Sequence, residues 1–230
     1  MPVADLTNHV EFMGLRLISQ PGTFRPKKQT EYLVTTALDM MRKNSLSHKC
    51  LNIIDMCTGI GNIAIVMALH LPKARIYGTD ISEKAIDIAC KNAGLYQLEQ
   101  RISFITGDLF IPLEKINLKG KIDAIICNPP YIPTDKIKYL DASIIEHEPL
   151  NALDGGAFGL SYFMRVISDS MVFLKPSGIL AFEVGGGQGL SVARLIGKKE
   201  RYSEAKICPC PGSTEEIVSC SLLDFGKGIS

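Results

Sequence analysis

Four polar residues stand where this chain could do chemistry. Asp55, Asp80, Asp108 and Asn128 each close a run of β-forming residues, LNIID, ARIYGTD, RISFITGD and KIDAIICN. In open α/β sheets ligands gather at the carboxyl ends of the strands, so four such ends describe one crevice. Asp55 leads into Met56-Cys57-Thr58-Gly59-Ile60-Gly61-Asn62, a glycine turn that opens a helix. Glycines let the backbone pass close to a ligand, and a helix start offers free N–H groups. The pattern Gly59-x-Gly61 has no third glycine at the dinucleotide spacing. The acid ahead of the turn repels phosphate and suits a cationic or zwitterionic ligand.

Asp80 lies 25 residues beyond Asp55, where a carboxylate can accept both hydroxyls of a ribose. Asp108 can accept from an adenine amino group. An amino-acid end, a ribose and a base in one crevice describe S-adenosylmethionine. Thr58 and Asn62 in the turn, and Ile81 and Leu109 after the second and third acids, complete the candidate cofactor set with Asn128.

Asn128-Pro129-Pro130-Tyr131 follows the fourth run directly. Prolines end a strand in any reading. Here they also leave acceptors only. The Asn128 side-chain oxygen and the Pro129 carbonyl can each accept one N–H of a substrate –NH2 group. Tyr131 offers an aromatic face to a planar group. An amide nitrogen is a poor nucleophile because its lone pair is delocalised. Two acceptors that fix its N–H bonds direct that lone pair at a methyl donor, and in-line geometry supplies most of the acceleration. No strong general base is required, since the proton becomes acidic as the N–C bond forms. The segment predicts methyl transfer to a planar nitrogen.

The elements that must position these residues are legible as periodicity. Residues 9–19 alternate loosely around Gly14 and predict a short hairpin. Apolar residues recur at helical spacing from Tyr32 to Met41, with Thr30 as the expected cap. From Cys50 onward strand and helix alternate. IAIVMALHL and SEKAIDIACKNA read as helices, the second capped by Ser82. A polar loop, 132–158, precedes the helix LSYFMRVISDSMVFL, the strand GILAFEV and a helix near Gln188. Residues 204–223 predict two more strands. The expected fold is α/β and Rossmann-like, with a mostly parallel seven-stranded sheet and flanking helices. Residues 1–26 are read as an N-terminal extension carrying the hairpin, and 27–230 as the methyltransferase domain.

Bulk properties narrow the function further. The 230 residues suit one sizeable domain, and 46% hydrophobic with 21% charged residues is a globular profile. A net charge of +1 lacks the basic excess that drives nucleic-acid binding. No apolar run reaches the length of a membrane span and MPVADLTNHV is no signal peptide, so a cytoplasmic location is expected. The seven cysteines lie mostly in apolar or strand-like contexts and read as reduced, buried thiols. Cys208-Pro-Cys210 lacks the second pair a zinc site needs, so no metal is expected.

DxxTGxGNIAI followed by NPPY resembles the class I aminomethyltransferases. EFMGLRL, FRPKKQTE, HEPLNALDGGAFGLSYF and GILAFEVGGGQG narrow the resemblance to the release-factor glutamine methyltransferases, the HemK/PrmC family, from about residue 11 to 198. The resemblance implies that Asp55, Gly59 and Gly61 hold the methionine part of the cofactor. It implies that Asp80 holds the ribose and that Asp108 lies near adenine. Phe24 would pack near the methyl-transfer site. Asn128, Pro129 and Tyr131, with Pro130 beside them, would bind the acceptor amide. Glu148 and Pro149 would shape the loop closing over it, and Glu183 would support the site from the fifth strand.

The sequence also departs from the family. Lys27 replaces an arginine and Cys57 a glycine, and PCPGSTEEIV lacks the family's Asp and Arg. The family usually carries a helical domain ahead of the hairpin that helps grip the protein substrate, whereas about ten residues precede it here.

The leading expectation is N-methylation of a glutamine side-chain amide in a protein. A relative acting on a small-molecule amide or amine is the second. A nucleic-acid adenine methyltransferase is the third, since an exocyclic adenine –NH2 suits the same notch after base flipping. Its near-neutral charge argues against it. A catalytically silent cofactor-binding partner is the fourth, and the intact NPPY argues against that.

Overall fold

A computed structural model describes residues 8–44 and 49–224; the first seven residues of the expected extension lie outside the described residues. Strands β1 (His9–Phe12) and β2 (Leu15–Ile18) form the hairpin, with Phe12 opposite Leu15. Met13 and Gly14 make its two-residue turn with φ of 47° and 76°, the twist that a tight hairpin favours. Phe12 and Leu17 insert into the core.

The sheet has seven strands in the order β5-β4-β3-β6-β7-β9-β8. They are β3 (Asn52–Met56), β4 (Arg75–Asp80), β5 (Ile102–Thr106), β6 (Ile122–Cys127), β7 (Leu174–Val184), β8 (Lys206–Pro209) and β9 (Glu216–Ser221). The first five run parallel, and β9 is antiparallel to both β7 and β8. Helices α1 (Thr30–Lys43), α2 (Asn62–His70) and α3 (Glu83–Leu95) cover one face with the hairpin; α5 (Ser161–Phe173) and α6 (Gly189–Gly197) cover the other. Burial on both faces explains why the central strands read as continuous apolar runs. Within β3, Ile53 faces the first layer and Ile54 the second. The chain grows from β3 outward to β5, then returns to lay β6 on the other flank of β3. That reversal opens a crevice at the strand ends.

Local signals hold at most boundaries. Ser82 caps α3, its hydroxyl accepting the Ala85 N–H at 3.2 Å. Thr30 does not cap α1. Gln29 holds that position in helical conformation (φ −61°, ψ −35°), and Thr30 is the first helical residue, 1% exposed and turned inward. The third strand stops at Thr106, short of Asp108, and β7 begins at Leu174, ahead of GILAFEV. The loop 132–158 contains α4 (Ala142–His147) and short 3-10 turns. The cysteines are not uniformly buried. Cys50, Cys90 and Cys208 are exposed because they lie before β3, on the outer face of α3 and on the edge strand β8.

One buried amide ties these parts together. Asn92 on α3 accepts the Ile18 N–H at 2.7 Å and donates to the Ile18 carbonyl at 3.0 Å. Its amide nitrogen also donates to the Ile60 carbonyl in the glycine turn at 3.0 Å. Replacing Asn92 with Ala removes the partner of the half-buried Ile18 N–H and carbonyl and of the buried Ile60 carbonyl. The expected cost is about 2–4 kcal/mol, measured as a lower urea midpoint with an unchanged slope.

Candidate active site

Asp55 lies beneath the glycine turn that joins β3 to α2, and it is 1% exposed. Its Oδ2 accepts from the Thr58 hydroxyl at 2.5 Å and from the Ala64 N–H at 3.0 Å. Its Oδ1 has no partner. Burial pushes this carboxyl up to about 7; the two hydrogen bonds oppose the rise and neighbouring Asp80 adds to it. Gly61 precedes α2 at φ 83°, and a Cβ there would come within 2.8 Å of the Phe104 ring. Cys57 adopts φ 58°, a left-handed conformation that the family's usual glycine takes without cost. Its thiol faces that of Cys127 at the end of β6.

Asp80 ends β4 and links two loops. Its Oδ2 accepts the Gly59 N–H at 2.8 Å, and its Oδ1 accepts the Ser82 N–H at 2.9 Å. Each oxygen retains a lone pair for a ligand hydroxyl. Burial raises this carboxyl as well. Asp108 is paired: Arg165 on α5 donates to its Oδ2 at 2.6 Å.

The Asn128-Pro129-Pro130-Tyr131 segment leaves β6 beside the glycine turn. The Asn128 amide nitrogen donates to the Thr30 hydroxyl at 3.2 Å. Beneath them lies Glu183 on β7, fully buried, with no hydrogen-bond partner for either oxygen. Burial pushes Glu183 up to about 7, while Thr30, Lys27 and Asn128 favour its charged form and Glu215 opposes it. Burial first, then Glu183, Glu215 and Cys210, hold the Tyr131 phenol well above its ordinary range. The Tyr131 carbonyl accepts from Gln188 at 2.9 Å. Loop 132–158 closes over the segment through Ile132 N–H to Leu153 and Gly155 N–H to Ile132, at 3.0 and 2.8 Å. Gly155 permits this approach, since a Cβ there would sit 2.8 Å from the Pro130 carbonyl.

These elements line one open cleft. Phe24, Thr58, Gly59, Asn62, Asp80 and Ile81 line it, as do Asp108, Leu109, Asn128, Pro129, Pro130 and Tyr131. Asp55, Gly61 and Glu148 are not on its wall. The first two form the underside of the glycine turn. The Glu148 carboxylate accepts the Arg25 N–H at 3.3 and 3.2 Å, which fastens loop 132–158 to the FRP segment. Thr30 and Tyr162 line the cleft and were missed by motif reading. The threonine of FRPKKQTE was a usable signal for the first; nothing marked the second.

The cleft fits S-adenosylmethionine. The buried Asp55 carboxylate below the glycine turn, one oxygen unpartnered, gives that end of the cleft a negative field that suits an ammonium. Ile81, 58% exposed on the cleft, offers apolar surface to a base. Among the described residues no group of three or more His, Cys, Asp or Glu could hold a metal ion.

Comparison with known proteins agrees with the geometry. Residues 14–158 match the methyltransferase small domain family. A release factor glutamine methyltransferase of Gloeobacter violaceus is 37% identical over 88% of this chain and 68% of its own length. One from Moorella thermoacetica is 36% identical over 90% of this chain and 70% of its own. The crystal structure of the human METTL16 catalytic domain, in complex with an RNA hairpin, superposes with a TM-score of 0.67 at 16% identity, covering 94% of this chain and 78% of that one. At that identity the likeness concerns the fold. The chain belongs to the release factor glutamine methyltransferase (HemK/PrmC) family and is an S-adenosylmethionine-dependent methyltransferase.

Proposed function

We propose that this protein methylates the side-chain amide nitrogen of a glutamine in a release factor. The observation that carries the reading is the hydrogen bond from the Asn128 amide nitrogen to Thr30. With its NH2 engaged there, Asn128 keeps its oxygen for a substrate N–H. The relatives at 36–37% identity carry that activity in their names.

When bound, S-adenosylmethionine supplies a methyl group made electrophilic by its sulfonium. The chain's residues hold and orient. Asp55, beneath the turn, attracts the ammonium end by its charge, and Thr58, Gly59, Gly61 and Asn62 shape the methionine seat. Asp80 accepts the ribose hydroxyls. Ile81 and Leu109 flank the base, and Asp108 accepts from its amino group. Asn128 and Pro129 accept the two N–H bonds of the acceptor amide, so its lone pair faces the methyl carbon. Phe24 and Tyr131 bracket the amide plane, Pro130 fixes the turn, and Glu148 locks the closing loop that excludes water. Residues 1–26 are the N-terminal extension with the hairpin and 27–230 the methyltransferase domain. A translation factor as substrate fits work in the cytoplasm; among the described residues no helix is long and apolar enough to cross a membrane.

Tritiated cofactor, offered with a purified bacterial release factor, RNA and a metabolite extract in parallel, tests the acceptor. Label on a release-factor glutamine is expected. Label confined to metabolites or RNA would overturn the acceptor assignment.

Asn128→Ala should lower transfer at least about 100-fold, with affinity for S-adenosylhomocysteine within about threefold of wild type. Asp80→Ala should weaken that affinity by more than about tenfold in calorimetry, because ribose acceptors and the Gly59 anchor go together.

Asp55 titrates near 7, and an ammonium binds its charged form. Ligand affinity should therefore rise as pH goes from about 5.5 to about 7.5, and Asp55→Asn should flatten the slope.

A further inference from the structure

We infer that Thr30 and Glu183 are positioning residues for transfer, a two-residue relay that fixes which face of the Asn128 amide meets the substrate. The inference rests on the acceptor-notch reading proposed above.

An asparagine amide has two faces of nearly equal shape and opposite chemistry. Turned one way, Asn128 offers an acceptor to a substrate –NH2. Turned the other way, it offers donors to a group that itself offers donors, and the notch no longer binds. Something must hold the amide in the productive orientation. The Thr30 hydroxyl is placed to do so, 3.2 Å from the Asn128 nitrogen. It accepts that N–H through a lone pair, which leaves its own proton for a second acceptor.

Thr30 is 1% exposed, so bulk water is not that acceptor. Glu183 is. It is fully buried, neither oxygen has a hydrogen-bond partner as the side chains stand, and Thr30, Lys27 and Asn128 favour its charge. A buried carboxylate without a donor is costly, so the threonine proton turns toward it. In the relay Asn128 donates to Thr30, the bond present in the structure, and Thr30 donates to Glu183, a bond the two side chains make by closing on each other.

Protonating Glu183 reverses that order. Its hydroxyl donates to Thr30, Thr30 then donates to Asn128, and the amide turns round. Four groups face Glu183 from neighbouring elements: Lys27 before α1, Glu215 before β9, Tyr131 after β6 and Cys210 after β8. Lys27 favours the charged carboxylate and Glu215 disfavours it. Burial sets the balance near 7, so kcat should fall as pH drops through that value. Asp55 titrates in the same range, but its effect appears in cofactor affinity.

The test is steady-state transfer from tritiated S-adenosylmethionine to a purified bacterial release factor, between about pH 6 and about pH 8.5. Thr30→Val should lower kcat about tenfold or more with KM for the cofactor within about twofold. Thr30→Ser restores the hydroxyl and should bring kcat back to within about threefold of wild type. Glu183→Gln should lower kcat and remove the acidic limb. If the wild type labels the release factor while Thr30→Val keeps its kcat, or Glu183→Gln keeps the acidic limb, the relay is wrong and the notch reading stands. If the wild type labels no glutamine at any pH, the notch reading falls and the relay with it.

Discussion

Strands β3 and β6 lie side by side and parallel, yet the chain reaches them from opposite directions of sheet growth. Met56 pairs with Cys127, so residue 57 and residue 128 leave the sheet as neighbours. Adjacent strands are about 4.8 Å apart, which holds the glycine turn and the proline notch within one side chain's reach of each other. Strand β4 is bound into the same unit. Thr58 donates its N–H to the Thr79 carbonyl at 3.0 Å, and Asp80 accepts from Gly59. Cofactor seat and acceptor notch therefore cannot shift independently. For methyl transfer this is what the fold provides, since misplacing a donor carbon by one ångström costs much of the rate.

The same crowding concentrates acids in poor solvent. Asp55 and Glu183 are each pushed by burial to about 7, and Asp80 is raised by burial too. An unfolded aspartate titrates near 3.8, so between there and about 7 the free folded protein holds more protons than the unfolded chain. Its stability falls as pH rises through that window. A bound cation reverses the balance at Asp55 by favouring the charge that burial disfavours. The site is costly when empty and satisfied when filled, a pattern common where function outweighs stability.

What could be read from sequence was local. The glycine turn, the polar strand ends and the Ser82 cap depend on neighbours a few residues away, and all three are legible. The relations that define the acceptor side span long separations. Asn128 meets Thr30 across 98 residues, Glu148 meets Arg25 across 123, and Asp108 meets Arg165 across 57. Threonine before an apolar helical stretch commonly caps it, whereas Thr30 is already the first helical residue. In the fold its hydroxyl contacts Asn128. Asp55 was legible as an acid at a strand end, but its depth was not. Whether an acid faces the cleft or lies under its floor depends on the path of the turn above it.

The family departures can be weighed in the same terms. Cys57 accepts a left-handed backbone at a cost of about 1–2 kcal/mol, and it gains a thiol neighbour in buried Cys127. Lys27 sits among Phe24, Glu183 and Glu215, with its ammonium 5.7 Å from the Phe24 ring centre. Two carboxylates that share one cation need charge more than the planar fork of an arginine, and a point charge serves. In the tail, Glu216 accepts the Gly189 N–H at 3.0 Å at the start of α6, where the helix dipole favours an anion. Gln29 donates to Ser213 at 3.1 Å and ties that tail to the segment leading into α1. The departures at Lys27 and in the tail therefore lie around the acceptor notch and Glu183, whereas Cys57 alone touches the glycine turn. At Gly61, by contrast, the turn has no room for a side chain.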